Sequence, residues 1–201
     1  MTLTEEACRA LVAPCELRQL DEGNRRATFV AATENGVETF HGREHLEMGG
    51  ADLGRYQANP VVLDTHNRFE AGGVVGNAKA RIDGRALIAE ITFAETERAL
   101  EVWELVRTGF IKALSIGFIP RRVEHVEEGA TARLGNQNVQ GPARIVREWE
   151  LFEISVVPVP ADRKAVRRRF FTDPADSYSD LGTVPKVADI DGETLMRAVC
   201  G

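Results

Sequence analysis

Apolar residues recur along this chain at two spacings, and each predicts a different element. In 95–109, "ETERALEVWELVRTG", Ala99, Val102, Trp103 and Val106 fall at i, i+3, i+4 and i+7. That is one face of a helix, and Gly109 is placed to stop it. Elsewhere the period is two. "RATFVAAT" (26–33) is rich in strand formers and ends at the turn signal Glu34-Asn35-Gly36. "VVGNAKARIDGRALIAEITFA" (74–94) predicts a hairpin about Asp83-Gly84, residues that tolerate positive φ in a tight turn. Residues 61–65, "VVLDT", form a compact strand running into a polar turn.

"FIKALSIGFIPRRVEHV" (110–126) predicts a strand closed by Pro120, and "RIVREWELFEISVVPVP" (144–160) a long strand ended by prolines. Between these elements, the glycine-rich stretch 36–60 predicts loop with short elements, and 127–144 a mobile loop. Residues 1–15 suggest a short helix or loose arm, with β-like text from Glu16. From Thr172 onward Asp, Ser, Gly and Pro dominate, as in a weakly ordered tail. The expected organisation is an arm over 1–25, one folded domain over 26–165, and a basic linker with a tail over 166–201. Several strands with few βα alternations imply an α+β, mainly β fold: an antiparallel or mixed core with helices around it.

Composition narrows the classes. At 201 residues and 43% hydrophobic, the chain suits one well-packed domain with tails. A net charge of −6 argues against nucleic acid as main partner, although "RKAVRRRF" (163–170) is locally basic. Three cysteines, Cys8, Cys15 and Cys200, without CxxC spacing, fit neither a disulfide scaffold nor a zinc ribbon. The first residues are acidic where a signal peptide needs basic ones, and no apolar run approaches a membrane span. A soluble protein of a reducing cytoplasm, without a membrane partner, is expected.

Three places could carry chemistry. Strand alternation puts Ile111, Ala113, Ser115 and Gly117 on one face and Phe110, Leu114, Ile116 and Phe118 on the other. The second face must be core, so Ser115 sits between two small residues that leave space around its hydroxyl. It is either a nucleophile or an ordinary strand serine. It is not a GxSxG elbow, because Ala113 replaces the first glycine. A serine nucleophile needs a base. His66 follows a strand at a sheet rim, as a base or a surface turn residue, whereas His125 has no evident polar partner. His41, Glu44 and His45 spell H-x-x-E-H, a zinc-peptidase pattern on a helix, but Gly42 and Gly49-Gly50 give it a loop context. Finally, alternation in "WELFEISVV" groups Glu153 with Trp149, Leu151, Ser155 and Val157, where an ionised carboxylate needs a partner. That partner is a histidine, as in a triad, or an arginine such as Arg121 or Arg147.

In this order, "VVLDTH", "VVGNA", "ALSIGF" and "LFEISVVPVPADRKA" resemble the prohead maturation proteases of tailed bacteriophages, over about residues 30–165. The resemblance implies Ser115 as nucleophile, His66 as general base and Glu153 as the third member, with no cofactor. It implies a fold related to the herpesvirus assembly proteases, a closed β-barrel surrounded by helices. The implied task is cleavage of the scaffold part of the capsid protein, and of the protease itself, inside the immature shell in the host cytoplasm. Portal and other prohead proteins would be further partners. Backbone N–H groups near Gly117 or in a turn at 120–122 are candidate oxyanion donors. Asn67 stands where an acidic residue commonly follows the family histidine, and the 127–142 segment is idiosyncratic. The basic 163–170 stretch is either a place for self-cleavage or only a solvated linker.

Overall fold

The period-two segments form strands in the computed structural model, which describes residues 9–11, 16–39 and 42–158. In chain order the strands and helices are β1 (Arg9–Leu11), β2 (Glu16–Asp21), β3 (Arg26–Thr33), β4 (Val37–Thr39), β5 (Gly42–Leu46), β6 (Ala51–Asp52), α1 (Gly54–Ala58), β7 (Val61–Asp64), β8 (Val74–Asp83), β9 (Ala86–Phe93), α2 (Glu97–Arg107), β10 (Ala113–Val126), β11 (Thr131–Leu134), β12 (Gln137–Gln140) and β13 (Ala143–Val157). Cys8, Cys15, Cys200, His41, the basic 163–170 stretch and the polar tail lie outside the described residues. Among the described residues, no helix is long and apolar enough to cross a membrane.

Among the described residues eleven strands make one mixed sheet, eight along the path β1-β10-β13-β7-β8-β9-β3-β2 and β4, β5 and β6 joined off it. β13 organises it. One edge of β13 pairs antiparallel with β10, and the other pairs parallel with β5, β6 and β7 in succession. The expected closed barrel is not formed among the described residues. β1 and β2 end the path without pairing to each other, although the sheet curls far enough for β10 to touch β3.

The helix expectation is met residue by residue. α2 buries Ala99, Val102, Trp103 and Val106, and the Trp103 ring lies 5.2 Å from that of Phe93. Thr96 caps its first turn by accepting from the Ala99 N–H, and Gly109 ends it at φ +80°. The β8–β9 hairpin turns on Gly84 at φ +59°.

Four expectations give way. β10 does not stop at Pro120: the ring sits beside a register shift between Pro120 and Arg122, where a missing ladder N–H is tolerated. The stretch 120–122 is therefore strand, and no oxyanion turn forms there. Part of the expected mobile loop is the β11–β12 hairpin, turning at Gly135 with φ +56°. It buries Leu134 and Val139 in a small cluster with Val126, Ala143 and Ile145. Residues 9–11 are strand, laid antiparallel along Ile116–Phe118 of β10.

The fourth concerns β13. Glu153 faces Gly117, but Leu151 faces Phe118, so Phe152 is an extra residue, a β-bulge. Leu151 and Trp149 consequently join Phe118, Ile154 and Val156 in the main core, while Glu153 and Ser155 face the other way. The Trp149 ring meets Phe118 edge-on at 6.0 Å.

The H-x-x-E-H stretch also has a clear conformation from Gly42 onward: it is strand β5, without the helical spacing that a shared metal face needs. Buried His45 donates from Nδ1 to the Glu34 carbonyl at 3.0 Å. Glu34, also buried, accepts from Met48 N–H and Arg85. Desolvation pushes the His45 imidazole below its ordinary value of 6.5, against a smaller opposing effect of the Glu34 carbonyl. The native state therefore resists a proton that the unfolded chain accepts, so the stability is complete above 6.5 and is lost as pH falls through the depressed folded value. Urea unfolding at about pH 7.5 and about pH 5 is expected to show a lower midpoint in acid, and His45→Gln should flatten that dependence.

Candidate active site

Three neighbouring strands bring the candidate residues to one side of the sheet. Ser115 of β10 lies directly opposite Ser155 of β13, and Gly117 opposite Glu153. On the far side of β13, Ser155 pairs with Leu63 and Val156 with Asp64, at the end of β7. His66 stands two residues beyond that end. The ladder thus sets serine, carboxylate and histidine side by side.

The turn that carries His66 is unusual. Asp64 C=O accepts from Asn67 N–H at 2.9 Å, and both central residues are left-handed, Thr65 at φ +49° and His66 at φ +62°. Asn-Gly or Gly-Gly normally fills such a turn. For side-chain-bearing residues the conformation costs about 1–3 kcal/mol each, so surrounding bonds must hold it. They do so from three sides. Thr65 N–H donates to Val156 C=O at 3.0 Å, and His66 N–H donates to Ser155 Oγ at 3.2 Å. Asp64 is paired to Arg98 of α2 at 2.6 Å, and Asn67 packs where Gly73 has no side chain.

Glu153 is 5% exposed, and no arginine among the described residues pairs with it. Arg121 binds Glu150 instead, and Arg147 binds Glu124 and Glu47. Its partner is the histidine. His66 Nδ1–H donates to Glu153 Oε1 at 2.6 Å, and Ser155 Oγ–H donates to Oε2 at 2.5 Å. Gly117 makes room for this carboxylate, since a Cβ there would stand 2.7 Å from Oε1. Desolvation, and secondarily the Glu153 charge, push the phenol of buried Tyr56 well up. Tyr56 stays neutral and donates to the Val61 carbonyl at 3.1 Å. Next along β13, the Phe152 ring carries the guanidinium groups of Arg55 at 4.9 Å and Arg68 at 5.8 Å. The hydrogen bond from Arg121, aided by Arg55, holds the nearby Glu150 carboxyl below the usual carboxylate range against desolvation.

Ser115 differs from expectation in its surroundings. It is 0% exposed, not open, because the Glu153 carboxylate fills the space over Gly117 and both faces of this part of β10 are covered. Its Oγ has no hydrogen-bond partner among the described residues. The His66 side chain is 35% exposed, so the imidazole bridges the buried carboxylate and solvent. His125 lies exposed far along β10, paired in register with Arg144. Ser155 and the left-handed conformation of the Thr65–His66 turn were not singled out by sequence reasoning, and Gly117 was read as space beside Ser115 and a candidate oxyanion donor, not as room for the Glu153 carboxylate. The available signal was the i, i+2 spacing of Glu153 and Ser155 on one strand face.

Chemically, an imidazole held by a buried carboxylate has one fixed tautomer, with Nδ1 protonated and Nε2 free to accept a proton. Over residues 55–173, more than half of the chain, the sequence matches the family model for the caudovirus prohead serine protease. It is 28% identical over 137 residues to a major capsid protein of Halomonas phage phiHAP-1, covering 66% of this chain and 21% of that protein. It is 26% identical over 155 residues to a capsid polyprotein of Pseudomonas phage PAJU2, covering 75% of this chain and 20% of that protein. The chain thus spans about a fifth of the length of the curated relatives it matches. No solved structure matches it. By the extent of the match, which takes in β7, β10 and β13, the chain belongs to the caudovirus prohead serine protease family.

Proposed function

We propose that the chain is a capsid-maturation serine endopeptidase, with Ser115 as nucleophile, His66 as general base and Glu153 as the acid that orients it. The observation that carries this reading is the 2.6 Å bond from His66 Nδ1 to a buried carboxylate, on the strand adjoining Ser115. His66 Nε2 takes the proton of Ser115 Oγ as that oxygen attacks the scissile carbonyl. The tetrahedral oxyanion collapses, His66 returns the proton to the leaving amine, and an acyl-enzyme remains. Water, deprotonated by the same imidazole, then releases the acid product. Glu153 stays ionised throughout and stabilises the imidazolium.

The substrate in this reading is the scaffold part of a capsid protein, with the chain itself and other prohead proteins as further substrates. Similarity to a capsid polyprotein and a major capsid protein supports that partner. So does the mode of β1, which already lies antiparallel along the outer edge of β10 beside Ser115, as an extended peptide added to a sheet would lie. The catalytic domain is then 26–165, and a cut within the basic 163–170 stretch is the self-processing step. Enclosure in an immature shell in the host cytoplasm raises the effective concentration of substrate, so a modest intrinsic rate suffices.

Intact-mass analysis of the chain expressed with its capsid protein tests this. Wild type should shorten the capsid protein, and Ser115→Ala or His66→Ala should reduce the rate by at least about 1,000-fold. Identical trimming by wild type and Ser115→Ala would remove Ser115 from the role of nucleophile, and function without trimming would favour a non-catalytic assembly factor. Gly117→Ala should push the Glu153 carboxylate off His66. We expect a loss of about 1–3 kcal/mol in denaturant unfolding and about 100-fold in cleavage rate, with the nucleophile intact.

A further inference from the structure

We propose that Ser155 is a positioning residue whose single hydroxyl ties the backbone of the base to the carboxylate of the acid. This rests on the serine-protease reading above and extends it to a residue that reading does not use. Two buried serines face each other across the β10–β13 ladder, and their hydrogen bonding divides their roles. Ser155 Oγ gives its proton to Glu153 Oε2 at 2.5 Å and accepts the His66 N–H at 3.2 Å. Its donor and one acceptor site are committed to the other two members of the site. Ser115 Oγ has no partner among the described residues and is the hydroxyl left for attack.

The geometry explains why such a tie is needed. A carboxylate held only through Oε1 can rotate about its last bond and swing away from the imidazole. With Ser155 on Oε2 and His66 on Oε1, its plane is fixed. His66 also sits at φ +62°, a conformation that side-chain-bearing residues leave when released. Its N–H points at Ser155, so the same hydroxyl restrains the backbone from which the imidazole projects. The i, i+2 spacing of Glu153 and Ser155 on one strand face lets one oxygen serve both.

The test uses the full chain, a fluorophosphonate that reacts with activated serines, and the downfield proton spectrum in which a carboxylate-bound His66 Nδ1–H resonates. Wild type should be labelled on Ser115, as located by peptide mass. Ser155→Ala should still be labelled on Ser115 but about 100-fold more slowly, and the Nδ1–H signal should be lost while the amide spectrum remains that of a folded protein. Ser155→Thr, which keeps a hydroxyl, should recover most of the rate and the signal. Ser115→Ala should keep the signal and lose the label. Labelling of Ser155 in wild type would overturn the inference, as would a Ser155→Ala protein with wild-type rate and an unchanged signal. In the second case Ser115 labelling would leave the protease reading standing. A wild-type protein that takes no label on Ser115 would sink that reading, and the inference with it.

Discussion

The ladder between β10 and β13 is the constraint on which the rest of the site depends. It sets Ser115 against Ser155 and Gly117 against Glu153, and the parallel pairing of β13 with β7 places the His66 turn on the other flank. Three chemical groups far apart in the chain become neighbours because backbone hydrogen bonds fix the register of three strands. A slip of one residue would turn Glu153 and Ser155 into the apolar core and bring Ile154 out. The two faces of β13 therefore reinforce each other. Ile154 and Val156, fully or almost fully buried, hold the register that the polar face requires.

Within that frame, unfavourable features lie next to the bonds that offset them. A buried carboxylate is costly unless both oxygens are satisfied, and here both are. Two left-handed residues in succession are strained, and the turn is held by the Val156 carbonyl, the Ser155 hydroxyl and the Arg98–Asp64 pair. The β-bulge at Phe152 belongs to the same arrangement. It lets Leu151 and Trp149 pack inward while Glu153, two residues later than Leu151, faces the histidine.

The chain belongs to the caudovirus prohead serine protease family, and the proposed division of labour between two facing serines follows from their hydrogen bonds. A hydroxyl with its donor committed to a carboxylate serves as structure. The facing hydroxyl of Ser115, without a partner among the described residues, is the one the proposal leaves for attack. The chain spans about a fifth of the curated relatives it matches, so the likeness applies to that part of their length alone.

Local patterning was legible in the sequence wherever the signal was local. The four buried residues of α2, the Gly109 stop and the β8–β9 turn follow from side-chain periodicity and from glycine's freedom at positive φ. Ser115 on the face opposite Leu114 and Ile116 follows in the same way. The Gly135-Asn136 hairpin signal was also present, but a polar stretch with few apolar residues hid it, since Leu134 and Val139 become core only against Val126 and Ile145. Simple alternation placed Glu153 beside Leu151 because a bulge leaves no mark in the order of apolar residues. What the sequence by itself determined were helix α2, the β8–β9 hairpin and the core face at the start of β10, with Ser115, His66 and Glu153 as candidate side chains. Only the tertiary structure decided which of them meet, because register, bulge and the left-handed turn at Thr65 and His66 are set by pairing between distant segments.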